Sequence, residues 1–544
     1  MSELDDQIAF RREKRARLRE RGVDAYPAHT AFDLEPAEVR ARWDGESAES
    51  LEAATVRLRV PGRIRALRDQ GRLVFLDLHD GREKLQVFVR KQQLDEASRQ
   101  LTDDLDLGDY LLAEGPLGRT KTGELSIFAE RLTLLAKALR PLPEKWHGLT
   151  DLEARYRQRY LDLIANPESR RTFEIRAALV AGIRRFLEAR GFLEVETPMM
   201  QAIPGGAMAR PFVTHHNALD LELYLRVAPE LYLKRLLVGG LHRVYEINRN
   251  FRNEGISTQH NPEFTMLEFY WAYADYRQLM DLTEEMLVGL AREVLKCERL
   301  SFKGKTVDLT PPWPRLTMAA ALERFAGVAP EQSATTAGLL AVCAERGLDL
   351  PPELKGSTTA GASPAESGGP TPAAGQTTAS GSPRGAGPAG ATTPVPQPFN
   401  GKLLAFVFEQ LCEEHLDGPV FIIDHPVEIS PLSKQRPEDP RFTERFELYL
   451  GGMEIANAFS ELNDPDVQRE RFEAQLEARA AGDAEAHRMD LDYVRALEHG
   501  MPPAGGEGIG IDRLTMLFAD RPSIRDVILF PLMRPEEPAP DGGS

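Results

Sequence analysis

Five short runs between residues 55 and 137 alternate apolar and polar side chains, and glycine, Asp-Gly or proline turns bound each of them. Such alternation predicts half-buried strands. A polar stretch with helical character, KQQLDEASRQL, separates the third run from the fourth. The five runs are VRLRVPGRIRAL, GRLVFLDLHDG, EKLQVFVR, DYLLAEGPLGRT and GELSIFAERLTLL. The pattern predicts a small five-stranded β-barrel with one helix after its third strand.

This order of strands and helix is that of an OB-fold, which we expect over residues 51–140. OB-folds usually bind single-stranded nucleic acid or oligosaccharide on one face, where aromatic rings stack on bases. On that face we expect Phe75 and Phe88, near Arg63 and Arg65. An aromatic residue in a strand more often belongs to the core, so the sequence leaves both roles open for Phe75.

The regions on either side of the barrel differ in character. Residues 1–50 predict a polar helical arm, with seven basic and two acidic residues between Arg11 and Arg21. This arm could be a solvated surface helix or a phosphate-contacting segment, and the sequence does not decide between them. Residues 141–540 combine amphipathic helices with strand-like runs that lack βαβ alternation. That pattern favours an α+β domain, a largely antiparallel sheet with flanking helices.

Residues 356–398 interrupt the third region. They contain eight prolines, one Glu, one Arg and no aliphatic residue larger than Val. Such a segment cannot bury enough apolar surface to offset the entropy lost on ordering it. We therefore expect a disordered insertion within the third region.

Charge, cysteine usage and apolar runs exclude several classes of protein. The chain has 67 Lys and Arg against 84 Asp and Glu, a net charge of −17, which argues against a binder coated in positive charge. Three widely separated cysteines exclude a disulfide framework and a zinc ribbon, and they fit a reducing cytosol. No apolar run predicts a membrane span or a secretory signal. The absence of a P-loop motif means that any nucleotide must be held by side chains.

One stretch, Arg249–Asp275, carries the densest set of chemically informative side chains. It predicts a first strand bearing Arg252 and Glu254, a polar loop and a second strand, folded so that both strands face one pocket. An arginine there suits a phosphate or carboxylate, an aromatic ring can stack on a purine, and carboxylates suit a cationic substrate. The alternative is a salt-bridged hairpin surface. The converging residues are Arg252, Glu254, His260, Phe264, Glu268 and Tyr270.

A second stretch, ELYLGGMEIANAFSE, holds two carboxylates on either side of a Gly-Gly turn. Glu447 and Glu454, brought together beside ATP phosphates, suit Mg²⁺, which takes few protein oxygens and completes its shell with phosphate and water. Asn457, Phe459 and Glu461 alternate and therefore share a face. That face suits a long amine, with the ring against methylene groups and Glu461 against an ammonium group.

A third stretch, GGEGIGIDRLTMLF, predicts a glycine-rich strand that leads into a helix. Glycine allows a ligand to approach the backbone closely, and Arg513 at the helix start places a fixed cation beside a phosphate site. The glycine pattern by itself is a weak signal.

Together these segments resemble the class II aminoacyl-tRNA synthetases. FRNEG and HNPEF are similar to the second signature of that family, GIGIDRL to the third, and the helix followed by FLEVETP to the first. Longer segments, among them LRVAPELYLKRLLVGG and MEIANAFSELNDP, resemble the lysine-specific branch. TMLEFYWAYAD and NAFSELND separate the chain from the aspartyl and asparaginyl branches. The resemblance covers about residues 50–536 apart from the insertion.

The resemblance implies activation of L-lysine with ATP, transfer of the lysyl group to tRNA(Lys), Mg²⁺ as cofactor, and a cytoplasmic homodimer. It implies that Arg252 and Arg513 are catalytic, with Arg252 on the lysine carboxylate and the ATP α-phosphate. It also implies that Glu230 and Gly206 take the α-amino group of lysine. The full implied sets are Arg252, Glu254, His260, Phe264 and Arg513 for ATP; Gly206, Glu230, Glu268, Tyr270, Asn457, Phe459 and Glu461 for lysine; Glu447 and Glu454 for Mg²⁺; and Phe75 and Glu124 for the anticodon.

Two other functions stay open at this point. One is a synthetase-like paralogue that aminoacylates a protein, and the other is a non-catalytic binding module whose active part is the OB-fold. The retained OB-like region counts against the first, because such paralogues typically lack it. The complete set of ATP and Mg²⁺ residues counts against the second, because a binder has no need for it.

Overall fold

The computed structural model describes residues 3–143, 149–351, 354, 399–480 and 488–535. The chain divides into two compact units, which we call the barrel unit (Met1–Arg171 with Met533–Ser544) and the sheet unit (Thr172–Leu532). The predicted insertion lies outside the described residues. Within the described ranges, no helix has both the length and the apolar character needed to cross a membrane.

The barrel unit contains a closed β-barrel, as the strand pattern predicts. Its strand order is β1-β2-β3-β5-β4, closed by pairing of β1 with β4, and β6 adds to β4. The helix after the third strand, α4, is also confirmed. The elements are α1 (Glu3–Glu20), α2 (Pro36–Trp43), α3 (Ala48–Ala54), β1 (Arg57–Asp69), β2 (Leu73–His79), β3 (Lys84–Arg90), α4 (Glu96–Leu101), β4 (Tyr110–Arg119), β5 (Leu125–Ala129), β6 (Arg131–Ala136), α5 (Leu152–Arg157) and α6 (Arg159–Ala165).

The fifth predicted run differs from the structure, because it forms two strands. The long strand β4 pairs with β5 through Leu117–Arg119 and with β6 through Tyr110–Glu114. A bend at Glu130 separates β5 from β6. The single alternating run therefore forms two strands, and each of them pairs with a different part of β4.

The alternation in β2 and β3 decides which side chains fill the barrel. Val74, Leu76 and Leu78 of β2 and their counterparts in β3 are buried inside it. Phe75 and Phe88 occupy the positions between them and are only partly buried. Their rings therefore lie on the outer face of the barrel rather than in its core.

Basic residues on one face of helix α1 bind the rest of the barrel unit. Arg11 Nη1 donates to three backbone carbonyls at 3.0 to 3.2 Å. Lys14 pairs with Asp106 and Arg17 with Asp104, each at 2.7 Å. These contacts give part of the basic cluster a structural role in holding the helix.

The sheet unit is built on one eight-stranded sheet with the order β15-β16-β17-β18-β19-β12-β11-β7. Only the β15–β16 and β11–β7 pairs are parallel, so the prediction of a largely antiparallel sheet is confirmed. The elements are α7 (Pro167–Glu188), β7 (Leu193–Glu194), β8 (Met200–Gln201), β9 (Val213–His216), β10 (Leu221–Leu225), α8 (Glu230–Val238), β11 (Arg243–Phe251), β12 (Glu263–Ala272), α9 (Tyr276–Leu290), β13 (Arg299–Phe302), β14 (Lys305–Asp308), β15 (Arg315–Thr317), α10 (Met318–Ala321), α11 (Pro330–Ser333), α12 (Thr336–Arg346), α13 (Gly401–Cys412), β16 (Val420–Ile423), β17 (Arg445–Leu450), β18 (Met453–Ser460), α14 (Pro465–Ala480), α15 (Leu491–Glu498), β19 (Ala504–Gly510), α16 (Ile511–Phe518) and α17 (Ile524–Val527).

One face of this sheet packs on helices and forms the main core. The apolar stripe of the amphipathic helix α7 contributes Leu179, Ile183 and Leu187, which are fully buried. From the sheet, alternate residues such as Leu267 and Phe269 of β12 join the same core. The alternating residues Glu268 and Tyr270 point to the opposite face, which carries the candidate site.

Candidate active site

A cavity of about 410 Å³ lies on the open face of the sheet unit. Strands β12, β18 and β19 form its floor, and the start of α8, the loop after β11 and the start of α16 form its walls. Of the residues that the sequence analysis assigns to ATP, lysine or Mg²⁺, those lining the cavity are Gly206, Glu230, Arg252, Glu254, His260, Phe264, Glu268, Tyr270, Glu454, Asn457, Phe459 and Arg513. Glu447 and Glu461 lie just behind the lining.

The predicted hairpin forms one end of this cavity. Strands β11 and β12 pair antiparallel from Arg243 opposite Trp271 to Phe251 opposite Glu263. The first strand ends at Phe251, so the expectation that it carries Arg252 and Glu254 is wrong. Both residues lie in the connecting segment. The Arg252 amide donates to the Pro262 carbonyl at 2.9 Å, one position beyond the last residue pair of the ladder.

Arg252 and Phe264 meet at this end of the cavity. The guanidinium carbon lies 5.1 Å from the centre of the Phe264 ring. The Nε atom of Arg252 is buried and has no hydrogen-bond partner. Burial lowers the pKa of Arg252. A buried donor without a partner, beside an exposed aromatic face, suits an anionic group attached to a planar base.

Arg513 and His260 form a second wall of the cavity, with Arg513 as its cation. Arg513 Nη1 donates to the Glu454 carbonyl at 2.8 Å, and Nη2 lies 3.1 Å from His260 Nε2. Because a guanidinium only donates, His260 Nε2 must accept, and the ring proton is on Nδ1, which donates to Ser257 Oγ at 2.9 Å. Partial burial and the adjacent Arg513 charge lower the pKa of His260, which favours this neutral form.

Three buried carboxyl groups occupy the opposite end. Glu230 begins α8, Glu268 lies on β12 and Glu461 follows β18, and none is more than 6 % exposed. Tyr270 donates its hydroxyl proton to Glu268 at 3.3 Å. Burial raises the pKa of Glu268 to about 8 and also raises the pKa of Glu461. Such a cluster suits a ligand that brings positive charge into a dry site.

The glycine strand β19 forms the floor between these carboxyl groups. Glu268 and Asn457 flank Gly508 in register, and Tyr270 and Phe459 flank Gly506. A Cβ atom on Gly506 would overlap the Glu461 carboxylate and the Tyr270 ring. The glycine therefore makes room for the side chains that define this end of the cavity.

The substitution Gly506→Ala should damage this end of the cavity selectively. Overpacking of a filled site typically costs about 1–3 kcal/mol, so we expect the KM for lysine to rise roughly tenfold to a hundredfold in ATP–pyrophosphate exchange. The KM for ATP should change by less than about threefold. Gly289→Ala is the control, because a Cβ atom there meets no atom within 4 Å. Equal rises in both KM values would contradict the assignment.

The two carboxylates assigned to Mg²⁺ lie on neighbouring strands. Gly451 and Gly452 form the predicted turn between them, with φ of +61° and +70°. The Tyr449 hydroxyl lies 3.0 Å from Glu447 and 2.9 Å from Glu413, so these two carboxyl groups face each other. Burial, together with the charges of Glu447 and Glu454, raises the pKa of Glu413. Two carboxylates suit Mg²⁺, which needs few protein oxygens when ATP phosphates and water complete its shell, although the described residues contain no cluster of three or more potential metal ligands.

The chain matches two family models. The model of "tRNA synthetases class II (D, K and N)" matches residues 151–534, and that of an "OB-fold nucleic acid binding domain" matches residues 58–135. The chain belongs to the class II tRNA synthetases of the D, K and N group. It is 49 % identical over 533 residues to a protein of Moorella thermoacetica named Lysine--tRNA ligase, covering 98 % of this chain and 99 % of that protein. Proteins of the same name from Bacillus subtilis and Staphylococcus aureus are each 47 % identical, with 98 % of this chain covered.

The barrel unit carries the two residues assigned to the anticodon. Phe75 packs on Phe88 at 5.1 Å, and Phe88 packs on Phe128 at 5.3 Å, so three rings form one outer patch. Arg68 lies over Phe75 at 5.9 Å, whereas Arg63 lies over Tyr110 at 4.3 Å. The arginine beside Phe75 is thus Arg68, and not Arg63 as expected.

Glu124, the second anticodon residue, lies on an exposed corner of the barrel unit. Its carboxylate pairs with Arg40 of α2 at 2.8 Å and with Lys84 of β3 at 4.0 Å. Arg40 therefore holds the side chain that the resemblance assigns to the RNA.

Three residues that hold the site together could not be identified from the sequence. Asp512 is buried and accepts from the Thr265 amide at 2.7 Å and from Arg176 at 2.6 Å, which ties α16 to β12 and α7. Arg445 donates to Asn457 at 3.1 Å and to Glu447 at 2.6 Å. Lys234 pairs with Glu230 and Glu461. The only sequence signal was the position of each beside an assigned motif, because burial and pairing depend on the tertiary fold.

Proposed function

We propose that this chain is a lysine–tRNA ligase, which activates L-lysine with ATP and transfers the lysyl group to the 3′ end of tRNA(Lys). One observation carries the proposal. A single cavity is lined by Arg252 and Phe264 at one end and by the buried carboxyl groups of Glu230 and Glu268 at the other, with Glu461 behind the lining beside Gly506. The relatives named above, alike over 98 % of this chain, support the same activity. Such an enzyme works in the cytoplasm, where tRNA is charged for translation.

The cavity is arranged for substrate positioning rather than for covalent catalysis. Phe264 stacks on adenine, Glu254 accepts from its amino group, and Arg252 binds both the lysine carboxylate and the α-phosphate. That clamp holds a carboxylate oxygen in line with the α-phosphorus, so that the new O–P bond forms as the bond to pyrophosphate breaks. His260 and Arg513 bind the departing phosphates, and Arg513 stabilises their developing charge.

The other end of the cavity recognises lysine. Glu230 and the Gly206 backbone bind the α-amino group, and Glu268, Tyr270 and Glu461 bind the ε-ammonium group. Asn457 helps to hold the carboxylate, and the Phe459 ring lies along the methylene chain. A neutral isostere would leave buried carboxylates without partners, at a cost on the order of several kcal/mol.

Glu447 and Glu454 would hold Mg²⁺, which neutralises charge on the phosphates of ATP and of the pyrophosphate that leaves. Arg445 orients Glu447, and Arg513 approaches Glu454 at 3.4 Å. An arginine side chain thus lies beside each of the two carboxylates.

In the second step the terminal ribose hydroxyl of tRNA attacks the carbonyl carbon of lysyl-adenylate. The ester bond forms as the bond between the carbonyl carbon and the phosphate oxygen breaks, and AMP leaves with that electron pair and takes up the hydroxyl proton. The outer ring patch of Phe75, Phe88 and Phe128 is available to stack on anticodon bases, and Glu124, held by Arg40, contributes a carboxylate on the same domain.

We also propose that the chain acts as a homodimer. Strands β7 to β10 expose a set of large apolar side chains that is unusual for a free surface, each between 42 % and 69 % exposed. A second copy of the chain would cover them. They are Leu193, Met200, Val213, Leu219 and Leu221. Light scattering should give twice the chain mass, and a monomer at micromolar concentration would contradict the proposal.

The proposed function is tested by amino-acid-dependent ATP–pyrophosphate exchange without tRNA. Lysine, aspartate and asparagine are compared side by side in the presence of Mg²⁺. Exchange with lysine alone supports the proposal, and charging of tRNA(Lys) then tests the acceptor. Exchange with none of them would overturn it, and tRNA binding without turnover would favour a binding module.

The raised pKa of Glu268, about 8, predicts a pH-dependent KM for lysine. Because this pKa lies above the ordinary value, the empty pocket holds a proton at neutral pH, and that proton must leave before the carboxylate can pair with an ammonium group. We expect the KM for lysine to fall as pH rises toward about 8, by up to about tenfold per pH unit for one released proton. The KM for ATP should not follow this trend. A lysine KM that is flat between about pH 6.5 and 8 would contradict the prediction.

A further inference from the structure

The side chain of Lys234 is fully buried next to the carboxyl groups assigned to lysine. Its Nζ lies 2.5 Å from a Glu230 oxygen and forms a second ion pair with Glu461. The same atom lies 5.2 Å from the centre of the Phe459 ring. Burial of an ammonium group is costly unless it is paired. A helix that only needed to fill space here would carry a leucine, as α8 does at Leu233 and Leu237.

Lys234 links the two halves of the lysine site. Glu230 borders Gly206, where a Cβ atom would lie 2.9 Å from the Glu230 Cβ. Glu461 borders Gly506 and the Tyr270 ring. One ammonium group therefore joins the carboxylate assigned to the α-amino group of the substrate to a carboxylate assigned to its ε-ammonium group. It fixes their separation before any substrate arrives.

The count of charges gives this link a second consequence. Three carboxyl groups, Glu230, Glu268 and Glu461, face one resident cation, so the fully ionised cluster has a net charge of two negative units. Lysine brings two ammonium groups, and its own carboxylate is bound by Arg252. The cluster with lysine bound is then neutral, which a dry site requires.

We propose that Lys234 is a positioning residue, a resident counter-ion that holds Glu230 and Glu461 in place and sets the pocket to accept two ammonium groups. This inference rests on the proposed function, since it takes lysine as the substrate. Lys234 touches neither ATP nor the reacting atoms. It acts through the two carboxylates.

The electrostatics of the cluster agree with this arrangement. Burial opposes the charge on Lys234, but Glu230 and Glu461 outweigh it, and the pKa of Lys234 is raised. Burial raises the pKa of Glu230 as well, and Lys234 counteracts that rise. The titratable and charged groups that face the cluster are Glu230, Glu461, Glu268, Tyr270, Tyr493, Arg226, Glu246 and Arg445, whereas Arg235 approaches Tyr493 rather than the carboxyl groups.

The substitution Lys234→Met tests the role in substrate binding. It keeps the length of the side chain and removes the charge. In ATP–pyrophosphate exchange we expect the KM for lysine to rise at least about thirtyfold and the KM for ATP to change less than about threefold. The pH at which the lysine KM reaches its minimum should move up by about one unit, because the carboxyl groups lose their cation. A purely structural role would lower stability without moving this pH profile.

Arg235→Met is the matched control, because it removes a cation from the next position of the same helix. Arg235 pairs with Asp490 at 2.7 Å and is not part of the cavity lining. We expect its lysine KM and pH profile to match those of the unsubstituted protein. An unchanged lysine KM and pH profile in Lys234→Met would overturn the proposal.

A double-mutant cycle in the absence of substrate separates this inference from the proposed function. Lys234→Met alone leaves two carboxyl groups facing each other, and we expect it to lower Tm by several degrees. Adding Glu461→Gln removes one of these carboxyl groups. The Tm of the double variant should therefore fall by less than the sum of the decreases caused by the two single substitutions. Additive shifts would overturn the proposed link. If the unsubstituted protein showed no lysine-dependent exchange, the proposed function would fail while the cycle still decided the pairing.

Discussion

Replacing Arg252 with alanine should lower lysine-dependent ATP–pyrophosphate exchange by at least about 10³-fold and leave the fold intact. The guanidinium group lies beside Phe264, and its buried Nε has no partner in the protein. Its bonding capacity is thus kept for the carboxylate and phosphate that react. Because the attacking carboxylate oxygen and the α-phosphate oxygens carry charge in the transition state, the loss of activity should fall mainly on kcat. The exchange rate at saturating lysine and ATP measures it.

The stability of this variant should change little, since Arg252 is only partly buried and its buried Nε has no partner whose loss would cost stability. Arg249→Ala is the matched control. Arg249 lies three residues earlier, is exposed, and pairs with Glu263 at 3.2 Å outside the cavity. We expect normal exchange and a similar Tm for it. Near-normal exchange by the Arg252 variant would remove Arg252 from the reaction.

Local patterns were sufficient to predict much of the fold. The barrel strands, α4 and the α7 stripe follow from alternation and helical spacing, because each lies within one segment of chain. The Gly451-Gly452 turn follows from glycine's access to positive φ. The fifth barrel run was wrongly expected to form one strand, because its two halves pair with different parts of β4 and alternation alone does not specify pairing.

The candidate site was predictable where a motif supplied its residues, and not where distant segments supply the support. Arg252 and Phe264 lie in one hairpin and were expected together. Ser257, which orients the His260 ring, reads as an ordinary loop serine. Lys234 sits in an amphipathic helix where a surface lysine would look the same. Its function depends on Glu461, which is 227 positions further along (461 − 234 = 227) and meets it only in the folded protein.

Glu461→Gln should impair the use of lysine far more than the use of ATP. The amide keeps the shape of the carboxylate and removes the charge that pairs with an ammonium group at a site 1 % exposed. Loss of one partner in a buried ion pair costs about 3–5 kcal/mol, so we expect the KM for lysine to rise about 10²- to 10³-fold. The KM for ATP should change less than about threefold, because Phe264 and Arg513 are untouched. Steady-state exchange with each substrate varied in turn gives both values.

Glu507→Gln provides the comparison that isolates the role of charge at the lysine site. Glu507 is also a buried carboxyl group in the sheet, and burial raises its pKa to about 8. Its side chain turns to the helical face, however, where both oxygens lie 2.7 Å from the Thr283 hydroxyl. Glu507 belongs to the cavity lining, but its carboxyl group is bonded to Thr283 on the helical face, so we expect a near-normal KM for lysine in this variant. Equal loss of lysine and ATP use in Glu461→Gln would mean that Glu461 supports the whole cavity, and the ε-ammonium group would then have to be bound by Glu230 and Glu268.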